Sequence, residues 1–333
     1  MPPSFELVVC ITSTALFDCR ESNNIWKTQG LEAYKAHQKA SAQEPLKPGV
    51  GFHLVRSLLK LNDICGKELV DVVLISRNDG ESSERVRNSI DHYKIPITRM
   101  SFTSGEDVTR YLPAWKCDLF LSTEEDQVRI VLSAGNSSLF ENIAAGLVCH
   151  ISNVPIEFVD ENETCEKPSN ETSSIGSKWP NDQIRIVFDG DGVLFSDEAE
   201  SIYRKEGLEA FRQSEKEKTK IALPKGPMHS FAVKLQHVRE RLADEHKWRI
   251  RTFLVTARNG VANERAMNTL KQWGLEINEA HFLGGLDKTQ FLTAIQPTIF
   301  FDDSTENIDK AKKYVPSAHV VYGVSNVKQP EST

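Results

Sequence analysis

The sequence predicts an α/β protein made of two tandem halves, each a parallel β-sheet with helices on both faces. Three observations support this prediction. Short apolar runs alternate with helical patterns along the chain, and such alternation is typical of parallel sheets. Residues 71–123 resemble residues 251–303 at a constant spacing of 180. A polar stretch, residues 160–182, separates the two regions.

Composition is that of a globular protein in a reducing compartment. The chain has 333 residues, of which 39% are hydrophobic and 26% charged, enough for two domains with cores of their own. A net charge of −7 argues against a nucleic-acid partner, because a protein that neutralises many phosphates usually carries a basic surface. A local cationic pocket for one small phosphate stays open. No apolar run is long enough for a membrane span. The six cysteines include no CxxC pair, which favours a cytoplasmic protein.

The internal similarity extends beyond one segment. Between residues 71–123 and 251–303, 13 of 53 positions are identical without a gap. Two further pairs match upstream in the same order, namely 30–34 with 207–211 and 5–18 with 184–197. Matches in one order predict an internal duplication. The alternative is two unrelated α/β halves with similar patterning.

The predicted domain boundaries follow from the polar stretch. Residues 160–182 are rich in Ser, Thr and Asn and have no hydrophobic period, as expected of a linker or long loop. The first domain is therefore predicted over residues 1–159 and the second over residues 183–333.

Acidic and hydroxyl side chains follow the predicted strands of the second half. Asp189 and Asp191 come directly after one apolar run, Thr256 ends another, and Asp302 and Asp303 follow a third. The carboxyl ends of parallel strands meet at one edge of a sheet. There, one carboxylate can attack phosphorus while another transfers a proton, and further carboxylates can hold Mg²⁺.

Lys288 and two glycines complete this pattern. Lys288 begins a predicted helix and can neutralise developing charge, while Gly190 and Gly192 let the backbone approach a ligand closely. Each motif alone has a plainer explanation, such as an acidic turn, a helix cap or a solvated lysine. Their order and spacing together favour a phosphoryl-transfer site.

This ordered set resembles the haloacid dehalogenase superfamily, which implies a Rossmannoid fold for each half. A narrower resemblance is to the type I cytosolic 5′-nucleotidases. Segments 187–198, 206–211 and 300–308 carry it in the second half, and ALFD (15–18), GLEAY (30–34) and DVVLIS (71–76) carry it in the first. It would cover most of the chain.

The resemblance implies Mg²⁺-dependent hydrolysis of nucleoside 5′-monophosphates, with AMP as the first candidate. Asp189 is expected to form an aspartyl-phosphate, Asp191 to act as acid and then base, and Thr256 and Lys288 to hold the phosphoryl group. The expected metal ligands are Asp189, Asp191 through its backbone, Asp302 and Asp303.

The superfamily places a cap between its first two motifs, here residues 198–250. Aromatic residues in this insertion, such as Tyr203 and Phe211, could stack on a base, although packing in a core is the plainer explanation. The expected substrate contacts are Arg258, Asn259, His229 and Gly190.

The first half lacks the acidic residues. Alignment at the sequence level pairs Cys10 with Asp189, Thr12 with Asp191, Ser76 with Thr256, Val108 with Lys288, and Ser122 and Thr123 with Asp302 and Asp303. We therefore expect a catalytically degenerate half with a structural role. A regulatory role, in which Arg77 meets a nucleotide effector, is the alternative.

Two other functions stay open at this point: a phosphatase of sugar phosphates, and a non-catalytic nucleotide sensor. A panel of substrates separates the first from a nucleotidase. The complete acidic set argues against the second, because a pure binder needs no acid/base carboxylate. The expected partner is a nucleoside monophosphate, and a nucleotide effector and homo-oligomer formation stay open.

Overall fold

The computed structural model describes residues 4–133, 140–150 and 182–327, and strands and helices alternate through it as predicted. The first part contains β1 (Leu7–Thr12), α1 (Ser13–Leu16), α2 (Arg20–Ala40), α3 (Phe52–Cys65), β2 (Val70–Ser76), α4 (Glu84–His92), β3 (Arg99–Phe102), β4 (Leu119–Ser122), α5 (Glu125–Ser133) and β5 (Ala144–Cys149). The second part contains β6 (Ile184–Phe188), α6 (Glu198–Glu217), α7 (His229–Arg241), β7 (Ile250–Thr256), α8 (Val261–Trp273), β8 (Glu279–Phe282), α9 (Thr289–Ile295), β9 (Ile299–Asp302), α10 (Thr305–Ala311) and β10 (Ser317–His319).

The ten strands within the described residues lie in one sheet, in the order β3-β2-β1-β4-β5-β10-β9-β6-β7-β8. Every pair is parallel except β5 and β10, which are antiparallel. The predicted α/β fold with parallel pairing is thus confirmed. The antiparallel pair joins the two halves into one sheet and reverses the strand direction. As a result, the carboxyl ends of β1–β5 and of β6–β10 lie at opposite edges.

The two halves share their strand order and several unusual backbone positions. In each half the first strand is flanked by the second and fourth. Helices α2 and α6 are both interrupted by a glycine, Gly30 and Gly207, with the same φ of 86°. Positive φ angles also recur at the spacing of 180 seen in the sequence, at Lys94 and Gly274, Ser104 and Gly284, Gly105 and Gly285, and Lys116 and Gln296.

Each half covers part of the other. Helix α3 contacts β2 and also β6 across the junction, while α7 contacts β1 and β5. Buried Phe231 and Leu235 anchor α7 in the main core, and Lys234 pairs with Asp118 of the first half at 3.4 Å. Within the predicted cap insertion, α7 is therefore a core helix, and α6 lies beside the carboxyl-end edge of the second half.

Strand pairing corrects one sequence alignment. Cys10 pairs with Val73 and Phe120, whereas Val187 pairs with the residues 180 positions later, Phe253 and Phe300. Cys10 therefore occupies the place of Val187, and Thr12 occupies that of Asp189. The pairing of Cys10 with Asp189 was wrong by two residues. Burial raises the pKa of the Cys10 thiol well above its usual value, as expected of a core cysteine.

The predicted linker lies outside the described residues except for Asp182. None of the helices in the described part of the chain combines the length and apolar character that a membrane crossing requires.

Candidate active site

The acidic residues predicted from the sequence meet at one edge of the sheet. Asp189 directly follows β6, Thr256 ends β7, and Asp302 ends β9, and β6 lies between β7 and β9. Asp189 is held in place by its backbone amide, which donates to the carbonyl of Phe301 at 2.9 Å. Lys288 reaches the same place from the start of α9.

Lys288 bridges two buried carboxylates. Its Nζ lies 2.8 Å from Oδ1 of Asp189 and 2.7 Å from Oδ2 of Asp302. Asp302 is fully buried, and it also accepts from the backbone amide of Ser304 at 2.8 Å and from the side chain of Asn307. Donors therefore hold the Asp302 carboxylate on several sides.

Negative charge exceeds positive charge in this cluster. Carboxylate oxygens of Asp189, Asp302 and Asp303 lie within 4.8 Å of one another. Burial raises the pKa of Asp189 to about 7, with Lys288 opposing the shift and Asp302 adding to it. Burial, then Asp189 and Asp302, raise the pKa of Asp303 to about 9. Such shifts arise where carboxylates crowd together without enough compensating charge.

These three residues fit a divalent cation. All three offer carboxylate oxygens, the ligand type that Mg²⁺ prefers, and a dication would compensate the excess charge. Gly192 brings its backbone so close that a Cβ there would lie 2.5 Å from the Asp303 carboxylate. The loop after β6 and the Asp303 side chain are therefore packed directly against each other.

The backbone of Asp303 is anchored from both halves of the chain. Its carbonyl accepts from Nε2 of His319 at 2.9 Å and from the side chain of Asn326 at 2.8 Å. Arg129 of α5 donates to the carbonyl of Asn326 at 2.7 Å. A first-half residue is thus two contacts away from the acidic cluster.

Asp191 is held by Arg258. Nε of Arg258 lies 2.8 Å from Oδ2 of Asp191, and Nη2 lies 2.6 Å from Oδ1, a two-pronged contact. The third nitrogen, Nη1, donates to Glu215 at 2.6 Å. Burial opposes the charge of Arg258, but Asp191 and Glu215 outweigh it, so the pKa of Arg258 lies above its usual range. The sequence indicated Arg258 as a substrate contact, but did not reveal Glu215.

A cavity of about 720 Å³ opens above the cluster. Asp189, Asp191, Thr256 and Asp303 lie at its floor, and α6 forms one wall with Tyr203, Leu208 and Phe211 among its residues. Asn259 also lines it. Gly190 packs so closely against Thr256 that a Cβ on Gly190 would lie 2.9 Å from the Thr256 hydroxyl.

His229 does not share this cavity. It lines a second one of about 760 Å³ between the two halves, together with Arg129, Lys225 and Tyr322. Its ring packs edge-on against Trp273 at 4.6 Å between centroids. The structure thus brings together all the predicted site residues except His229.

Hydroxyl groups occupy the corresponding edge of the first half. Oγ of Ser13 lies 2.9 Å from Oγ of Ser76, and the hydroxyls of Thr14 and Thr123 lie 2.6 Å apart. Val108, at the place of Lys288, is fully buried. By the strand register, Thr14 and Thr123 stand at the places of Asp191 and Asp303, and Ser13 and Ser76 stand at those of Gly190 and Thr256. Hydroxyl groups and a buried valine thus replace two of the carboxylates and the lysine of the second half.

A family model and a curated relative both identify the family of this chain. A family model described as 5′-nucleotidase matches residues 2–327. The cytosolic 5′-nucleotidase 1B of Homo sapiens is 30% identical over 323 residues, which are 93% of this chain and 48% of that protein. The chain thus spans about half the length of this curated relative. A solved structure of histidinol dehydrogenase from Elizabethkingia anophelis covers 94% of this chain and 79% of its own, at 8% identity and a TM-score of 0.23, which is too low to carry an argument.

Proposed function

Because this chain belongs to the 5′-nucleotidase family, we propose that it hydrolyses nucleoside 5′-monophosphates to nucleosides and phosphate, with AMP as the first substrate to test. One observation carries the proposal. Lys288 contacts Asp189 and Asp302 beside a cavity that Asp189, Asp191 and Thr256 line together.

Asp189 is the proposed nucleophile. One of its carboxylate oxygens forms a bond to phosphorus while the bond between phosphorus and the 5′-oxygen breaks, giving an aspartyl-phosphate. Asp191 donates a proton to the departing 5′-oxygen. Water then attacks phosphorus, its proton passes to Asp191, and the bond from Asp189 to phosphorus breaks. Nucleoside and phosphate are released, and both carboxyl groups return to their starting forms.

Charge compensation is the main task of the surrounding residues. A phosphate dianion is repelled by a bare carboxylate, so cationic groups must offset the repulsion. Lys288 supplies one positive charge beside the nucleophile, and the Thr256 hydroxyl can donate to a phosphate oxygen. Mg²⁺, held by Asp189, Asp302, Asp303 and the Asp191 backbone, would supply further positive charge when bound.

The α6 wall is the proposed base-binding surface. Tyr203 and Leu208 are about half exposed, at 53% and 49%, so they are not core residues. They line the cavity together with Phe211, and an aromatic face there can stack on a nucleobase. Asn259 is available for the ribose or phosphate. Arg258 contacts Asp191 and would affect the substrate through that carboxyl group.

The first half is proposed to be a duplicate that has lost the chemistry. The shared strand order and the recurring positive φ angles support a duplication. The hydroxyl groups at its strand ends support the loss of catalysis, because they offer neither a nucleophile of low pKa nor metal ligands of negative charge. Magnesium dependence and a cytoplasmic location are parts of the same proposal.

Phosphate release tests the proposal directly. AMP, IMP, CMP, UMP, dTMP and glucose 6-phosphate are offered with Mg²⁺, with EDTA, and to the Asp189→Asn variant. We expect release from nucleotides that needs Mg²⁺ and that the variant lacks. Release from the sugar phosphate alone would overturn the substrate class. Turnover by the Asp189→Asn variant would overturn the nucleophile. Phosphate trapped on Asp189 after acid quenching would support the intermediate.

A further inference from the structure

A network of charged groups runs from Asp191 into the protein interior. Arg258 donates hydrogen bonds from Nε and Nη2 to the two carboxylate oxygens of Asp191, and from Nη1 to Glu215. The other oxygen of Glu215 accepts from Nη1 of Arg265 at 2.6 Å. The side chains of Glu215 and Arg258 are 1% and 2% exposed. Arg265 also lies 3.6 Å from Glu198, which pairs with Lys218. The connected groups are therefore three carboxylates and three cationic groups, and their charges balance.

Stability does not explain such an arrangement. Removing charged groups from water costs several kcal/mol per ion, and a buried ion pair often stabilises a fold no better than apolar residues would. Arg258 and Glu215 therefore need a reason other than packing. The first half supplies the comparison that separates a structural role from a functional one.

The first half contains a corresponding network in which neutral residues take the places of Arg258 and Glu215. Asn78 stands 180 positions before Arg258, and Arg85 stands 180 before Arg265. Gln38 stands 177 before Glu215, the spacing that also relates Gly30 and Gly207. Gln38 is buried and accepts from Arg85 at 3.4 Å, and the Tyr34 hydroxyl links it to Asn78.

Only one member is common to both networks. Arg85 donates from Nε to the carbonyl of Glu44 at 3.0 Å, and Arg265 donates from Nε to that of Ile221 at 3.1 Å. These arginines perform the same structural task in both halves. The pair of opposite charges is present only in the half that has an acidic residue at Asp191.

We propose that Arg258 and Glu215 are positioning residues for Asp191. The inference rests on the proposed function, in which Asp191 protonates the leaving group. The two-pronged contact fixes the plane of the Asp191 carboxyl group, and Glu215 fixes Arg258 from behind. Arg258 thus acts on the reaction through Asp191.

Leaving-group dependence provides the test. The 5′-alkoxide of a nucleoside is a strongly basic leaving group that must be protonated as it departs, whereas p-nitrophenolate leaves without a proton. The value of kcat/KM reports on steps up to leaving-group release. For Arg258→Asn we expect kcat/KM to fall roughly 100-fold with AMP and by less than about 5-fold with p-nitrophenyl phosphate. The loss with AMP should lie in kcat and not in KM, because the three nitrogens of Arg258 are already bonded to Asp191, Glu215 and the carbonyl of Ala262.

Three further variants make the result decisive. Glu215→Gln combined with Arg258→Asn reproduces Gln38 and Asn78, the corresponding pair of the first half. This double variant replaces the single variant in the test if Arg258→Asn does not fold. Asp191→Asn sets the full size of the leaving-group effect. Arg212→Asn is the matched control, because Arg212 lies on α6 with its side chain 60% exposed.

The outcomes separate the inference from the proposed function. Selective loss with AMP in both Arg258 variants and in Asp191→Asn supports the inference. Selective loss in Asp191→Asn alone, with equal effects on both substrates in the Arg258 variants, overturns the inference and leaves the proposed function standing. No selective loss in Asp191→Asn overturns the proposed mechanism, and the positioning role falls with it.

Discussion

Replacing Gly192 by alanine would perturb the acidic cluster through a single methyl group. Gly192 has a φ of +75°, and a Cβ there would lie 2.5 Å from Cγ and from one oxygen of Asp303. The backbone of Asp303 is anchored by His319 and Asn326. Rotation of the Asp303 side chain is then the main way to relieve the contact, and it carries the carboxylate away from the cluster.

The size of the effect has two parts. A left-handed backbone costs an alanine about 1–2 kcal/mol. Gly66 provides the matched control, because it has a φ of +61° and open space around a Cβ, so Gly66→Ala carries this cost alone. Gly192→Ala also displaces the Asp303 carboxylate, a proposed ligand of Mg²⁺. We expect Mg²⁺ binding to weaken about tenfold or more, equivalent to about 1.4 kcal/mol.

Two measurements check this expectation. Urea unfolding compares the stability of the two variants, and calorimetric titration compares their Mg²⁺ affinity with that of the unaltered protein. Gly66→Ala should lose stability without losing Mg²⁺ affinity. If Gly192→Ala binds Mg²⁺ as tightly as Gly66→Ala does, Asp303 is not a ligand or is free to move, and the reasoning is refuted.

Three more predictions follow from contacts in and around the site. Lys288→Met should lower phosphate release at least roughly 100-fold, because a positive charge beside Asp189 is lost; activity within tenfold of the original would contradict this. Arg129→Gln should weaken Mg²⁺ binding a few-fold in calorimetry, because the Asn326 carbonyl loses the donor that Arg129 supplies from the first half. Unchanged affinity would show that the contact between Arg129 and Asn326 does not affect the Mg²⁺ site. Burial and the neighbouring Lys225 lower the pKa of His229 from 6.5 to about 4. Between these pH values His229 binds a proton in the unfolded chain but not in the folded one. The free energy of unfolding therefore falls as the pH drops from 7 towards 4. His229→Gln should reduce that fall in urea unfolding at pH 7 and 5, and an identical fall in both proteins would exclude His229 as its source.

The meeting of acidic residues at one edge could be predicted because these residues follow strands in sequence. Asp189, Thr256 and Asp302 each stand at the end of an apolar run, and a parallel sheet gathers such ends at one edge. The antiparallel pairing of β5 and β10 could not be predicted, since neither short strand indicates its partner. That pairing decides that the two halves form one sheet.

Residues far apart in sequence were harder to place. Nothing near Glu215 indicates that it pairs with Arg258, because the contact depends on where α6 crosses the site. The loop before α7 predicts that His229 contacts the substrate, whereas the structure places His229 at the start of α7, in the cavity between the halves. The misplaced alignment of Cys10 has a similar origin: a shift of two residues keeps every strand side chain on the same face, so hydrophobic pattern alone does not detect it.

The way α3 and α7 cross between the halves bears on how the protein responds to heat. Each helix covers strands of the other half, and β5 and β10 complete each other's hydrogen bonding. Neither half then has a core that closes by itself, so the two are expected to melt in a single cooperative transition. The first half would in this way set the temperature range over which the second half can work.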